Sequence, residues 1–197
     1  FVYFGQRVYQ ALRQAPFPVI GAPRGAALGG GCEMLLHCDA IQASSESYPG
    51  LVEAGVGIIP GWGGTVRLLE RANNNKYIKN GPALRPQMAF AAIMNPLGSM
   101  GVSAQDAKKK MWYKPTDGIT MIKDRLLADS KSKALSMADG YEPPKPATFR
   151  LAGPTAKASF NMAVDNFYKA GQANWHDVAI ADALAEVYSG GDTHMGI

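Results

Sequence analysis

Phe17-Pro18-Val19-Ile20-Gly21-Ala22 runs on toward Gly29-Gly30-Gly31-Cys32-Glu33, and the apolar Met34-Leu35-Leu36-His37 follows. The first segment reads as a short apolar strand over 18–23. The second reads as a helix, Leu28 to Cys38, opened by its glycines. Glycine lets a backbone approach a ligand closely, and bare N–H groups at a helix start hold a developing negative charge. Glu33 lies three residues beyond Gly30, so its carboxylate would stand beside such an oxyanion. Glu53, 20 positions further on, supplies a second carboxylate that can face the same pocket. An oxyanion donor with two carboxylates points to adding or removing water next to a carbonyl.

Upstream, residues 2–14 read as an amphipathic helix with Val2, Phe4, Val8, Tyr9 and Leu12 inward, ended by Pro16 and Pro18. Downstream, Ala40 to Ser44 reads as a strand. Tyr48 to Gly64 is too glycine-rich for regular structure throughout, and helix resumes near Gly64 through Glu70. Asn73-Asn74-Asn75 and Asn80-Gly81-Pro82 bracket a loop, Pro86 to Met94 a helix, and Asn95 to Gly101 a break. Ser103 with Asp106 forms a capping-box-like helix start. Residues 121–138 read as a long helix with Leu126, Leu127, Leu135 and Met137 on its apolar side. Tyr141-Glu-Pro-Pro-Lys-Pro146 reads as an extended linker, and 154–188 as two helices joined around Gly171. Strands sit early and helices dominate late, which implies an α/β layer followed by a helical assembly region.

With 197 residues the chain can bury a real core, as one domain or one domain plus an appendage. A net charge of +4 is compatible with a polyanionic ligand but too weak and too scattered to select one. The only basic run, Lys108-Lys109-Lys110, suits a solvated helix face, and no basic stripe with interleaved aromatics argues for nucleic acid. No apolar run approaches a membrane span, and no signal-peptide pattern opens the chain. Cys32 and Cys38 fall on different faces of one helix, so neither a disulfide nor a metal pair is expected, and buried reduced thiols in a cytoplasmic or organellar protein are. His37, His176 and His194 have no ligand spacing; His37 reads as a packed helix residue and the other two as surface. Asp39 reads as a structural hydrogen-bonder.

Two glycine patterns fail as nucleotide sites. Gly55-Val-Gly57-Ile-Ile-Pro60 has proline where a dinucleotide fingerprint needs its third glycine, and Gly61-Trp62-Gly63-Gly64 lacks the Lys-Ser/Thr pair of a P-loop.

Pro18-Val-Ile-Gly-Ala-Pro-Arg-Gly-Ala-Ala-Leu-Gly-Gly-Gly-Cys-Glu-Met-Leu-Leu-His-Cys-Asp39 and Tyr48-Pro-Gly-Leu-Val-Glu-Ala-Gly-Val-Gly-Ile-Ile-Pro-Gly-Trp-Gly-Gly-Thr-Val-Arg-Leu68 together resemble the crotonase, or enoyl-CoA hydratase, superfamily. Beyond Leu68 the likeness thins to Ser103-Ala-Gln-Asp-Ala107. The wording Leu-Val-Glu-Ala-Gly-Val-Gly is most similar to hydratase regions of multifunctional fatty-acid β-oxidation proteins that also carry a 3-hydroxyacyl-CoA dehydrogenase.

The resemblance implies the second half of a crotonase (ClpP-like) ββα-superhelix core over 1–140, a Pro-rich linker over 141–153 and a helical extension over 154–197. It implies Gly30 as one oxyanion donor, Glu33 as the base that deprotonates the attacking water, and Glu53 as the acid that protonates the α-carbon. Ala27, Leu28, Pro60, Gly61 and Trp62 are implied as pocket residues, although a core tryptophan explains Trp62 as well. A triple glycine also suits a tight turn, a first-turn glutamate complements a helix dipole, and a loop glutamate suits solvent; their pairing within matching motifs carries the catalytic reading. The implied substrate is a trans-2-enoyl-CoA thioester. No cofactor or metal is expected for hydration, and NAD only for a dehydrogenase elsewhere in the parent. A homo-oligomer is expected, with no membrane or nucleic-acid partner. The family's other oxyanion donor is expected upstream of Phe1, so the 197 residues alone are expected to be inactive and self-associating. The rival readings are an isomerase on the same fold and a non-catalytic fragment serving assembly of the parent.

Overall fold

The structure is a computed structural model. It describes residues 1–74, 84–149 and 151–191, with only the backbone of 84, 85, 96 and 97. The Asn80-Gly81-Pro82 loop and His194 lie outside the described residues.

Two short parallel sheets organise the chain. In one, β1 (Ile20–Gly21) pairs with β3 (Ala40–Ser44), which pairs with β5 (Gly118–Thr120). In the other, β2 (Gly25–Leu28) pairs with β4 (Ser47–Gly50). Parallel neighbours cannot be joined by a tight turn, so each return needs a crossover. The chain supplies it by alternating sheets. β1, β2 and helix α2 (Gly30–His37) make one β-β-α turn; β3, β4, a 3-10 turn (Glu53–Val56) and helix α3 (Gly64–Asn73) make the next. The α/β ββα architecture is the expected one.

Several boundaries differ from the sequence reading. The first strand is confined to Ile20–Gly21 between Pro18 and Pro23, which have no N–H to give a ladder. Leu28 ends β2 opposite Gly50 and does not start the helix. Gly29 takes φ 53, ψ −127, a backbone outside the helical region, so α2 can begin only at Gly30. The 48–64 stretch is also more regular than expected: Tyr48, Pro49 and Gly50 complete β4, and Gly29 donates to the Gly50 carbonyl at 2.9 Å.

Helix α1 (Val2–Arg13) forms where expected, but it is rotated. Val2, Phe4 and Val8 are exposed (50%, 73% and 47%), whereas Tyr9 and Arg13 are buried. The reason is a close approach at Gly5, where a Cβ would stand 2.4 Å from Trp62 Nε1. That contact turns the Gly5, Tyr9, Arg13 stripe inward, four residues per step.

Helix α4 (Leu84–Met94) follows α3, and the expected break at 95–101 contains a helical turn, α5 (Pro96–Ser99). Helix α6 (Ala104–Lys109) is capped by Ser103, whose hydroxyl accepts the Asp106 N–H at 3.1 Å. Asp106 reaches past the cap to the Val102 N–H at 3.1 Å, so the box is offset by one residue. The long helix expected over 121–138 is shorter, α7 (Leu126–Ser136), preceded by a 3-10 turn. Its inner face carries Leu126 and Ser130, and Leu127 and Leu135 are exposed (80% and 66%). Adjacent leucines lie about 100° apart on a helix, and α7 is covered on a narrow face that takes in Leu126 and leaves Leu127 outside.

Helices α8 (Gly153–Lys169) and α9 (Trp175–Ser189) flank Gly171 as expected, and Asn174 with Asp177 forms a full capping box on α9. They share one core with the ββα turns. Phe90 of α4 stacks on Phe160 with centroids 4.7 Å apart, and the Tyr188 hydroxyl donates to the Thr65 carbonyl at 3.1 Å. Cys32 and Cys38 are buried and free, as expected. Among the described residues no helix is long and apolar enough to cross a membrane.

Candidate active site

Two residues of the corner between β2 and α2, Gly29 and Gly30, are glycine where a side chain would not fit the backbone shape or the neighbours. Gly29 has positive φ. A Cβ on Gly30 would stand 3.0 Å from the Trp62 ring, whereas one on Gly31 would meet nothing within 4 Å. Trp62 therefore walls one side of the corner, and the side above Gly31 is open. The first amides of a helix have no acceptor within it, and α2 has no side-chain cap. Its first N–H groups therefore lie beside that opening without a side-chain acceptor.

Glu33 is almost fully buried, at 2% exposure. Its Oε1 accepts the N–H of Trp62 at 2.9 Å and of Gly64 at 2.8 Å. Gly64 opens α3, so the carboxylate of one helix caps the positive end of the next. Burial raises the proton affinity of Glu33 and the two N–H bonds hold it down, with burial prevailing.

Glu53, buried at the start of the 3-10 turn, lies over the glycine corner, its Oε1 3.4 Å from where a Gly29 Cβ would stand. Its Oε2 is buried without a hydrogen-bond partner in the structure. Burial raises its proton affinity most; neighbouring backbone amides oppose this, and the charge of Glu33 adds to the rise. The structure thus brings Gly29–Gly31, Glu33, Glu53 and Trp62 together. Glu33 is held as an acceptor, and Glu53 is left with an oxygen that a proton would suit.

The other expected pocket residues are spread around this corner. Leu28 is partly exposed at the end of β2, Ala27 packs against the core, and Pro60 is buried. The Gly61 carbonyl accepts Gln6 Nε2 at 2.8 Å, which ties it to α1. Beyond Glu53, a cavity of about 930 Å³ opens beside Ala54 and Gly55, lined by Phe90, Met94, Phe160 and Val164. None of Ala27, Leu28, Pro60, Gly61 or Trp62 lines it.

Other side chains serve the corner in ways that sequence periodicity did not signal. His37, a packed residue as expected, has Nδ1 2.7 Å from the Glu33 carbonyl. Burial lowers its pKa to about 4, so the ring is neutral and Nδ1–H donates, since a carbonyl only accepts. Tyr9 donates its hydroxyl to the Gly30 carbonyl at 2.9 Å. His176 is exposed as expected but also bonds through Nε2 to the Gly57 carbonyl at 2.7 Å. Asp39 is structural, accepting the Val19 N–H at 2.8 Å. Among the described residues no group of three or more His, Cys, Asp or Glu side chains could hold a metal ion.

Residues 4–87 match the Enoyl-CoA hydratase/isomerase family. Over 192 residues, 97% of its length, the chain is 35% identical to a Bacillus subtilis (strain 168) protein named "Probable 3-hydroxyacyl-CoA dehydrogenase". Over 62 residues, 32% of its length, it is 52% identical to "Fatty acid oxidation complex subunit alpha" of Idiomarina loihiensis. The chain spans 24% of the first relative's length and 9% of the second's. The crystal structure of an enoyl-CoA hydratase from Bacillus anthracis aligns with TM-score 0.55 and 26% identity, covering 95% of this chain and 59% of that one. The glycine corner and both glutamates lie within residues 4–87, the stretch that matches the enoyl-CoA hydratase/isomerase family, and the chain takes a crotonase-like fold.

Proposed function

We propose that this chain is the hydratase region of a protein that adds water to trans-2-enoyl-CoA thioesters. The observation that carries this reading is the pair of buried glutamates at one glycine corner, where Glu33 accepts two backbone N–H bonds and Glu53 keeps a bare oxygen. Two carboxylates in one pocket work as base and acid when their environments separate their protonation states. Glu33 takes a proton from water as the water oxygen bonds to the β-carbon. The electron pair of the double bond moves toward the thioester oxygen, where the Gly30 N–H stabilises the charge. Glu53 then gives its proton to the α-carbon, and exchange with solvent resets both carboxyls. Removal of one oxyanion donor of this kind costs on the order of 3 kcal/mol in the barrier.

The substrate is an acyl-CoA thioester, no cofactor takes part in hydration, and the protein works in the cytoplasm as a homo-oligomer. The 3-hydroxyacyl product is what a 3-hydroxyacyl-CoA dehydrogenase oxidises, and the name of the Bacillus subtilis relative supports such a region, with NAD, in the same polypeptide. The presence of both glutamates favours hydration over double-bond isomerisation.

The test is hydration of crotonyl-CoA by the full-length natural protein, followed by loss of the enoyl-thioester absorbance. Turnover at an ordinary enzymatic rate supports the proposal. Failure to hydrate crotonyl-CoA and longer enoyl-CoA thioesters alike removes it.

A further inference from the structure

Three consecutive glycines make a poor scaffold for a catalytic dipole. Each has more backbone freedom than any other residue, and an oxyanion donor is effective only when held in place before reaction. Helix α2 has no side-chain cap of its own to supply that restraint. Gly29 is held on both sides, its N–H by the Gly50 carbonyl and its carbonyl by the Glu33 N–H, each at 2.9 Å, and α1 adds a restraint on Gly30. Tyr9, buried at 6% exposure, donates its hydroxyl to the Gly30 carbonyl at 2.9 Å, across 21 residues of sequence. The bond restrains ψ of Gly30 and so holds, through its carbonyl, the residue whose own N–H is the candidate oxyanion donor.

The ring of Tyr9 is clamped as well. It meets Trp62 edge-on, with centroids 5.3 Å apart and planes at 84°, and lies 5.4 Å from the His37 ring. Trp62 in turn gives its backbone N–H to Glu33, and His37 holds the Glu33 carbonyl. One side chain thus touches the carrier of the donor and two residues that bond to Glu33.

We infer that Tyr9 is a positioning residue of the site, its hydroxyl holding Gly30 in the conformation that receives the thioester oxygen. The inference rests on the hydratase reading for its kinetic consequence but not for its structural one. Tyr9→Phe keeps the ring between Trp62 and His37 and removes only the hydroxyl. In the full-length protein, Tyr9→Phe is expected to lower kcat for crotonyl-CoA about 10-fold, with KM and the thermal unfolding midpoint near wild type. Amide hydrogen exchange over Gly29–Gly31 is expected to quicken, while that of α3 stays unchanged.

A Tyr9→Phe enzyme with wild-type kcat and unchanged exchange at the corner overturns the inference. So does a loss of activity that only follows a lowered unfolding midpoint, since the hydroxyl would then be merely structural. If the wild-type protein does not hydrate enoyl-CoA, the hydratase reading falls, and the exchange measurement alone decides whether Tyr9 holds the corner.

Discussion

The Glu33 carboxylate and the Gly64 backbone are in direct contact: Oε1 accepts the Gly64 N–H at 2.8 Å, and a Cβ on Gly64 would stand 2.7 Å from Glu33 Cγ. One glycine thus both binds the candidate base and leaves room for it. Glu33 can be buried next to the start of α3 only while residue 64 has no side chain.

Gly64→Ala is therefore expected to push Glu33 off its two N–H donors. In the full-length protein it should cut hydration at least 10-fold, because a displaced base loses the alignment that proton transfer needs. It should also lower stability by about 1–3 kcal/mol through overpacking. Steady-state kinetics and urea unfolding check the two effects. Unchanged activity would mean that Glu33 has no fixed position to lose.

Glu33→Gln and Glu53→Gln should each reduce crotonyl-CoA hydration by about 10²–10⁴-fold, the usual scale of a general acid or base, with little change in KM. Any oxidation of 3-hydroxyacyl-CoA with NAD by the same polypeptide should survive both changes. Wild-type hydration in either variant would remove that residue from the mechanism.

His37 should make the fold sensitive to acid. Its folded pKa, about 4, lies below its ordinary value of 6.5, so the unfolded chain takes up the proton first. The stability it contributes is complete above pH 6.5, is lost as pH falls toward 4, and changes no further below that. The full swing is on the order of 3 kcal/mol. Urea unfolding at pH 7 and pH 4.5 should show a larger loss for the wild type than for His37→Gln. Equal losses would show that the imidazole does not carry the effect.

Cys32 and Cys38 should resist alkylation in the folded protein. Burial pushes their thiols up to about 12 and about 11, leaving almost no thiolate at neutral pH. Iodoacetamide should label both only after denaturation, as intact mass will show. Rapid labelling of the native protein would place these thiols on an accessible surface.

The amino-acid sequence by itself determined the features whose cause is local. Proline bounds on a strand, a glycine-opened helix and the Ser103 cap all act within a few residues, and each appears where its chemistry requires. Motif resemblance extended this to the ββα architecture and to Glu33 and Glu53. The tertiary structure decided what depends on residues distant in sequence. Helix α1 turns Tyr9 inward and leaves Phe4 outside because Trp62 lies on Gly5, a contact that α1's own periodicity does not encode. Tyr9 reaches Gly30 across 21 residues and Glu33 reaches Gly64 across 31, and neither spacing is a helix or strand repeat. Local backbone preference chooses the elements, but only their packing chooses which faces meet, and the candidate site is made of those meetings.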